Sequence, residues 1–149
     1  MINLLLCGNE KVFDGALTLL ISATKKTKQP ICCYIFTMDA TIIKSEYTCI
    51  RDEQIAFLNK VVKAKNLKNE VQKIDVTDLY EQEFKNCANE GAYCTPYTLL
   101  RLLADMIPEM PKDKLLYLDI DMMVGDDLSK LYDIDISDYE YAAVKEKYR

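Results

Sequence analysis

Apolar residues along the chain follow two patterns, short runs and stripes with helical spacing. Runs of about four to eight apolar or alternating residues are typical of strands in a sheet. They predict strands at residues 2–7, 31–38, 70–76, 114–119 and 141–145. The stripes predict helices at residues 13–25, 51–66, 77–84 and 95–108. This alternation favours a single α/β domain over residues 1–149, with a mostly parallel sheet and helices on both faces.

The segment 95–108, TPYTLLRLLADMIP, is the clearest predicted helix. Thr95 is placed to cap it, and Pro96 stands at the first helical position, where a missing N–H is harmless. The helix should end before Pro108. It is apolar on most sides, so we expect it to be largely buried, and the charge of Arg101 then needs a partner.

Charge and composition exclude several classes of partner. Acidic residues outnumber basic ones, 24 to 19, and the net charge of −5 disfavours bulk binding to nucleic acid or to an anionic membrane. No apolar run approaches the roughly 18 residues of a membrane span, and the run in MINLLLC is too short for a signal peptide. The cysteines lack C-x-x-C spacing and predict reduced thiols in the cytoplasm, at positions 7, 32, 33, 49, 87 and 94.

Histidine is absent from the chain. Catalysis by a Ser-His-Asp or Cys-His arrangement within these residues is therefore excluded. The commonest metal ligand is missing as well, so any metal bound here must be held by oxygen or thiolate.

Two Asp-x-Asp triplets occur, and their positions separate them. With 14 aspartates in 149 residues, about one triplet is expected by chance, so the triplet alone carries no weight. Asp119 and Asp121 close an apolar run at the carboxyl end of a predicted strand, where parallel sheets bind ligands. Asp133 and Asp135 lie in a polar stretch and are predicted to be surface residues.

Two carboxylates at a strand end suit a hard cation. Side chains at alternate positions point the same way, about 6.6 Å apart along the strand, and can converge on one ion where the strand ends. Mn²⁺ or Mg²⁺ takes carboxylate, water and phosphate oxygens and offsets charge on a phosphate leaving group. The alternative is that Asp119 caps a turn and Asp121 is solvated.

The stretch KLLYLDIDMMVGDDLSKLYDIDI resembles the Asp-x-Asp segment of glycosyltransferase family 8. This family comprises retaining nucleotide-sugar transferases such as glycogenin and bacterial lipopolysaccharide galactosyl- and glucosyltransferases. TPYTLLRLL is similar to the family's helix with a donor-contacting arginine, and NLLLCGNEKVFDGALTLLISA to its first strand, nucleotide loop and helix. The resemblance covers nearly the whole chain and implies the amino-terminal part of the Rossmann-like GT-A fold.

The resemblance also implies roles for the matching residues. Asp119 and Asp121 would hold Mn²⁺ or Mg²⁺ against the diphosphate of a UDP-sugar, and the backbone around Ile120 would lie near the ribose. Arg101 would reach the donor sugar or the metal-side carboxylates. The alternative for Arg101 is an ion pair with Asp105, four residues further along the helix.

The nucleotide loop departs from the family pattern. Gly8 would let the backbone approach the ligand closely, and a plain turn glycine is the alternative. Where the family usually has aspartate, asparagine and tyrosine, this chain has Asn9, Lys11 and Val12. Asn9 can still pair with a base edge, whereas Val12 stacks poorly on a base, and Phe13 is a candidate substitute.

Family members continue well beyond this length, and their later part carries a histidine metal ligand and the acceptor site. The resemblance therefore implies the donor-binding half of a metal-dependent retaining transferase. Such an enzyme moves a hexose from a UDP-sugar to a saccharide or lipopolysaccharide-type acceptor, in the cytoplasm or at the inner face of the membrane.

Two other functions stay open. Haloacid-dehalogenase-like phosphatases also place Asp-x-Asp after an apolar strand, the first as nucleophile and the second as general acid. Their pair lies near the amino terminus, however, and only 28 residues follow Asp121. The other function is a non-catalytic module that binds a nucleotide sugar or a partner and self-associates through exposed apolar surface.

Overall fold

The computed structural model describes residues 1–84, 87 and 95–145. Its main elements are β1 (Ile2–Cys7), α1 (Phe13–Lys26), β2 (Ile31–Thr37), α2 (Asp52–Lys63), β3 (Glu70–Asp75), α3 (Thr77–Phe84), a long 3₁₀ helix (Pro96–Met106), β4 (Leu116–Tyr117) and α4 (Ser129–Tyr132). A short 3₁₀ turn, Glu10–Val12, leads into α1. The predicted alternation of strands and helices is confirmed as far as β4.

The four strands form one parallel sheet in the order β3-β2-β1-β4. Leu4 of β1 stands opposite Cys33 of β2 and Leu116 of β4. Because side chains alternate along a strand, Leu4 and Leu6 enter the core on one face and Leu5 enters the core on the other. The continuous apolar run of β1 is thus explained by burial on both faces.

Helices cover both faces of this sheet, as predicted. Buried residues of α1 and α2 form one core with the sheet, while α3 and the 3₁₀ helix pack on the opposite face. Helix α1 buries one stripe at helical spacing, Ala16, Leu19, Leu20 and Ala23. None of the helices described is long and apolar enough to cross a bilayer.

The 3₁₀ helix corrects the prediction of a buried α-helix at 95–108. Tyr97, Leu100 and Leu103 are buried, and this spacing of three residues matches the three residues per turn of a 3₁₀ helix. The other sides face solvent, so Leu102 is exposed. Thr95 makes no side-chain cap, although Pro96 does occupy the first turn.

Two predicted strands differ from the structure. The run 114–119 forms a ladder only at Leu116 and Tyr117, which pair with Leu4 and Leu5. Residues 141–145 form no strand and are exposed. The outer strand β4 offers only two residues for pairing, so the sheet presents a very short edge to any strand beyond it.

Candidate functional site

The carboxyl ends of β1 and β4 border a cavity of about 430 Å³. The long connection between β2 and α2, residues 38–51, supplies part of its wall. The lining residues are Cys7, Gly8, Asn9, Lys11, Val12, Lys44, Glu46, Tyr47, Thr95, Tyr97, Thr98, Tyr117, Asp119 and Ile120. Five of the seven predicted binding residues are among them: Gly8, Asn9, Val12, Asp119 and Ile120.

Gly8 allows a close approach between β1 and the turn that follows it. Its N–H donates to the Phe36 carbonyl at 2.9 Å. A Cβ at this position would lie 2.5 Å from Cγ1 of Val12 and 2.7 Å from Cγ2. Packing against Val12 therefore requires glycine here, whether or not a ligand also approaches the backbone.

Asn9 is buried and caps the turn Glu10–Val12. Its side-chain Oδ1 accepts a hydrogen bond from the Lys11 N–H at 3.0 Å. Burial raises the pKa of Tyr97, and a hydrogen bond with the Asn9 side chain opposes that shift. Protein contacts thus position Asn9 at the cavity wall, and its pairing with a base edge stays a prediction.

Phe13 does not line the cavity, so the geometry gives no support to Phe13 as a substitute for the missing aromatic residue. Its ring packs edge-on against Phe57 of α2, with 5.9 Å between centroids, and it contacts the core beneath α1. The tyrosines that do line the cavity are Tyr47, Tyr97 and Tyr117. Sequence reasoning missed Tyr47, which lies in the long connection after β2.

Asp119 lies just beyond β4, and two neighbours orient its carboxylate. The Tyr117 hydroxyl donates to Asp119 Oδ1 at 2.5 Å, and Arg101 Nη1 lies 4.0 Å from the same oxygen. Burial raises the pKa of Tyr117, and the hydrogen bond to Asp119 raises it further. The hydroxyl thus stays a donor at neutral pH. The Asp119 side chain remains 63% exposed, which suits a residue that contacts a ligand.

Arg101 reaches the carboxylate of Asp119 by crossing the face of Tyr117. Its guanidinium carbon lies 4.9 Å from the Tyr117 ring centroid. In a 3₁₀ helix residues three apart, not four, share a face, so Asp105 is poorly placed as a partner. Of the two interpretations of Arg101, the geometry favours the one near the metal-side carboxylates.

Ile120 lies between the two aspartates and packs against α1. Its side chain joins the core beneath that helix. The Met122 N–H donates to the Asp119 carbonyl at 3.2 Å, so the chain turns directly after β4. Asp121 is exposed on this turn and does not line the cavity.

The donor set here fits a hard cation. The two aspartates offer carboxylate oxygens, and Mn²⁺ or Mg²⁺ completes its coordination with water and phosphate oxygens. Within the described ranges, no group of three or more cysteine, aspartate or glutamate side chains could hold a metal. Asp119 and Asp121 thus have no third carboxylate or thiolate beside them in this part of the chain, and their role as metal ligands stays a prediction.

The second triplet lies on the surface, and of the described cysteines Cys32 and Cys33 are buried. Asp133 and Asp135 are exposed, and Asp135 accepts a hydrogen bond from the Ser137 N–H at 2.9 Å. Cys7 lines the cavity, but burial raises the pKa of its thiol to about 12, so it is protonated at neutral pH. The described cysteines are free thiols, while Cys94 lies outside the described residues.

Comparison with known proteins places this geometry in a family. The model described as Glycosyl transferase family 8 matches residues 3–149. General stress protein A of Bacillus subtilis (strain 168) is 34% identical over 71 residues, which are 47% of this chain and 23% of that protein.

Solved glycosyltransferase structures share the fold. An active-site mutant of LgtC superposes with a TM-score of 0.66 at 20% identity, over 92% of this chain and 44% of that chain. The galactosyltransferase LgtC in complex with donor and acceptor sugar analogues gives 0.64 at 20% identity, over 90% and 43%. The apo bifunctional glycosyltransferase WbbM gives 0.65 at 15% identity, over 91% and 21%.

These likenesses confirm the predicted GT-A fold. The chain spans less than half the length of each of these proteins. The family model covers almost the whole chain, including the strand end, the cavity and both aspartates. The chain therefore belongs to glycosyltransferase family 8.

Proposed function

We propose that this chain binds the donor of a metal-dependent retaining hexosyltransferase, a UDP-hexose held with Mn²⁺ or Mg²⁺. The observation that carries the proposal is the exposed Asp119 carboxylate at the end of β4, held by Tyr117 and Arg101 beside the cavity. Asp119 and Asp121 are the proposed metal ligands. When bound, the ion would supply Lewis-acid stabilisation of the diphosphate leaving group.

The chain's own residues have separate tasks in this proposal. Tyr117 keeps the Asp119 carboxylate turned toward the cavity through its hydrogen bond. Arg101 places positive charge next to that carboxylate, where it can contact a diphosphate or sugar oxygen. Gly8, Asn9 and the backbone of Ile120 form the wall proposed to contact the nucleoside.

The proposal also covers the acceptor and the cellular location of the reaction. Relatives in this fold include a galactosyltransferase solved with donor and acceptor sugar analogues. We propose a saccharide or lipopolysaccharide-type acceptor, in the cytoplasm or at the inner membrane face. Self-association also stays a prediction, and the exposed apolar residues include Met123, Tyr141 and Val144.

The alternatives differ in their support. The family match spans the Asp-x-Asp segment, so the phosphatase interpretation of Asp119 and Asp121 has no independent observation behind it. A donor-binding module without turnover shares every feature of the cavity. It is distinguished by binding without sugar transfer.

Calorimetric titration of UDP into the folded chain tests the proposal. We expect binding with Mn²⁺ present and a loss of binding after chelation, because the diphosphate and the carboxylates need the cation between them. Circular dichroism confirms that the sample is folded. Binding that is indifferent to metal, or no binding by a folded sample, would contradict the proposal.

Arg101→Met tests donor binding separately from metal binding. The substitution removes the charge but retains much of the apolar stem over Tyr117. We expect the affinity for UDP-hexose with Mn²⁺ to fall roughly tenfold, as for a lost hydrogen bond to a charged group. The affinity for Mn²⁺ alone should not fall, because a positive neighbour of Asp119 has been removed.

The matched control for Arg101 is Arg51→Met. Arg51 pairs with Glu10 at 3.1 Å and does not line the cavity. Calorimetry with Mn²⁺ alone and with the UDP-hexose complex measures both affinities. Equal weakening by the two substitutions would mean that Arg101 does not contact the donor.

A further inference from the structure

Tyr47 is held in place by the connection between β2 and α2. Its N–H donates to the Lys44 carbonyl at 2.8 Å, and its carbonyl accepts from the Ala40 N–H at 2.9 Å. One residue later, the Thr48 carbonyl accepts from the Glu10 N–H at 3.1 Å, which ties this connection to the turn after β1. The backbone of Tyr47 is therefore fixed on both sides.

The ring of Tyr47 is also fixed, by Tyr97. The two rings meet edge to face, with centroids 5.5 Å apart and an interplanar angle of 83°. Tyr97 is almost fully buried, and its hydroxyl donates to the Met38 carbonyl at 3.0 Å. Tyr47 itself is half-buried and lines the cavity. The result is a preorganised aromatic surface at the cavity wall.

We propose that the nucleobase of the bound nucleotide packs on Tyr47. This inference rests on the proposed function. Bases stack on aromatic side chains regardless of sequence, because every base has a π-face. Val12 lines the cavity but has no ring, and Phe13 is engaged by Phe57. Tyr47 lines the same cavity as Gly8 and Asn9, the residues proposed to contact the nucleoside.

The charged residues around Tyr47 are compatible with this role. Glu46 binds Lys11 at 2.9 Å and Lys44 at 2.8 Å. These hydrogen bonds, that from Lys44 first, lower the pKa of Glu46 to about 2, so the tie is charged at neutral pH. Lys44 Nζ lies 5.6 Å from the Tyr47 centroid. Because the Lys44 side chain is exposed and flexible, it can move off the ring when a base packs there and still stay near Glu46.

The test compares a ligand that has a base with one that lacks it. UDP and inorganic pyrophosphate, each with Mn²⁺, are titrated into wild type, Tyr47→Leu and Tyr47→Phe. Leucine keeps bulk and removes the ring, whereas phenylalanine keeps the ring. We expect Tyr47→Leu to weaken UDP binding roughly tenfold and to leave pyrophosphate binding unchanged. Tyr47→Phe should bind both like wild type.

Controls separate this inference from the proposed function. Tyr139→Leu changes an exposed tyrosine outside the cavity and should leave both affinities unchanged. Equal UDP affinity in wild type and Tyr47→Leu, or equal loss for UDP and pyrophosphate, would overturn the role of Tyr47 alone. A folded wild type that binds neither ligand would overturn the proposed function, and this inference with it.

Discussion

Replacing both Asp119 and Asp121 by asparagine is expected to abolish metal-dependent UDP binding, with a loss of affinity of roughly a hundredfold or more. The amide keeps the size of the side chain and its acceptor oxygen, so Tyr117 retains a partner at position 119. The charge that a hard cation requires is lost. Asp119 is largely exposed, and we expect the free energy of unfolding to change by less than about 1 kcal/mol.

The chain supplies its own matched control for this experiment. Asp133→Asn with Asp135→Asn removes the same two charges, at the same spacing, from exposed positions outside the cavity. Calorimetry with Mn²⁺ and UDP measures binding, and thermal unfolding measures stability. If the two double variants are weakened equally, net charge alone controls the affinity. If both bind as wild type does, the carboxylates at 119 and 121 are not needed. Either result would contradict the proposed metal site.

Much of the fold could be predicted because two sequence patterns, the continuous apolar run and the stripe with helical spacing, each have one structural meaning. The run of β1 is apolar at both odd and even positions, which fits a strand buried on both faces. The stripe of α1 repeats every three or four residues and packs on that strand. The same patterns predict where the strand at 114–119 ends, and therefore that Asp119 lies at its carboxyl end.

The remaining features depend on contacts that no local pattern encodes. Three residues at a spacing of three share one face of a 3₁₀ helix and span only about 120° of an α-helix, so Tyr97, Leu100 and Leu103 fit either kind of helix. The run 114–119 packs its apolar side chains partly against the core, with Leu118 buried. Its ladder, however, depends on the backbone of β1. Tyr47 has no periodic context, and its position at the cavity depends on backbone hydrogen bonds across a long connection and on the contact with Tyr97.

The close contact between α1 and the Asp-x-Asp turn leads to a second large effect. A Cβ on Gly15 would lie 2.5 Å from Cγ2 of Ile120 and 2.9 Å from the Ile120 carbonyl oxygen. The carbonyl belongs to the backbone between the two aspartates, so it cannot move without moving them. Glycine at position 15 thus sets how closely the turn packs on α1.

Gly15→Ala is therefore expected to lower both stability and ligand affinity. Alanine usually stabilises a helix relative to glycine by about 0.5–1 kcal/mol. The overlap with Ile120 reverses that sign, and we expect unfolding to become easier by roughly 1–3 kcal/mol. Displacement of the two carboxylates should weaken metal-dependent UDP binding by roughly tenfold or more.

Gly125→Ala is the control, because a Cβ there meets no atom within 4 Å. It should leave UDP affinity unchanged. Affinity is measured by calorimetry at a temperature where thermal unfolding shows both variants fully folded. A lower affinity then cannot result from partial unfolding of the sample. If Gly15→Ala is less stable but binds UDP with Mn²⁺ as wild type does, the steric overlap has not displaced the two aspartates. Gly15 would then not position them. Weaker binding by the folded variant, with Gly125→Ala unaffected, is the result expected if Gly15 positions the carboxylates through Ile120.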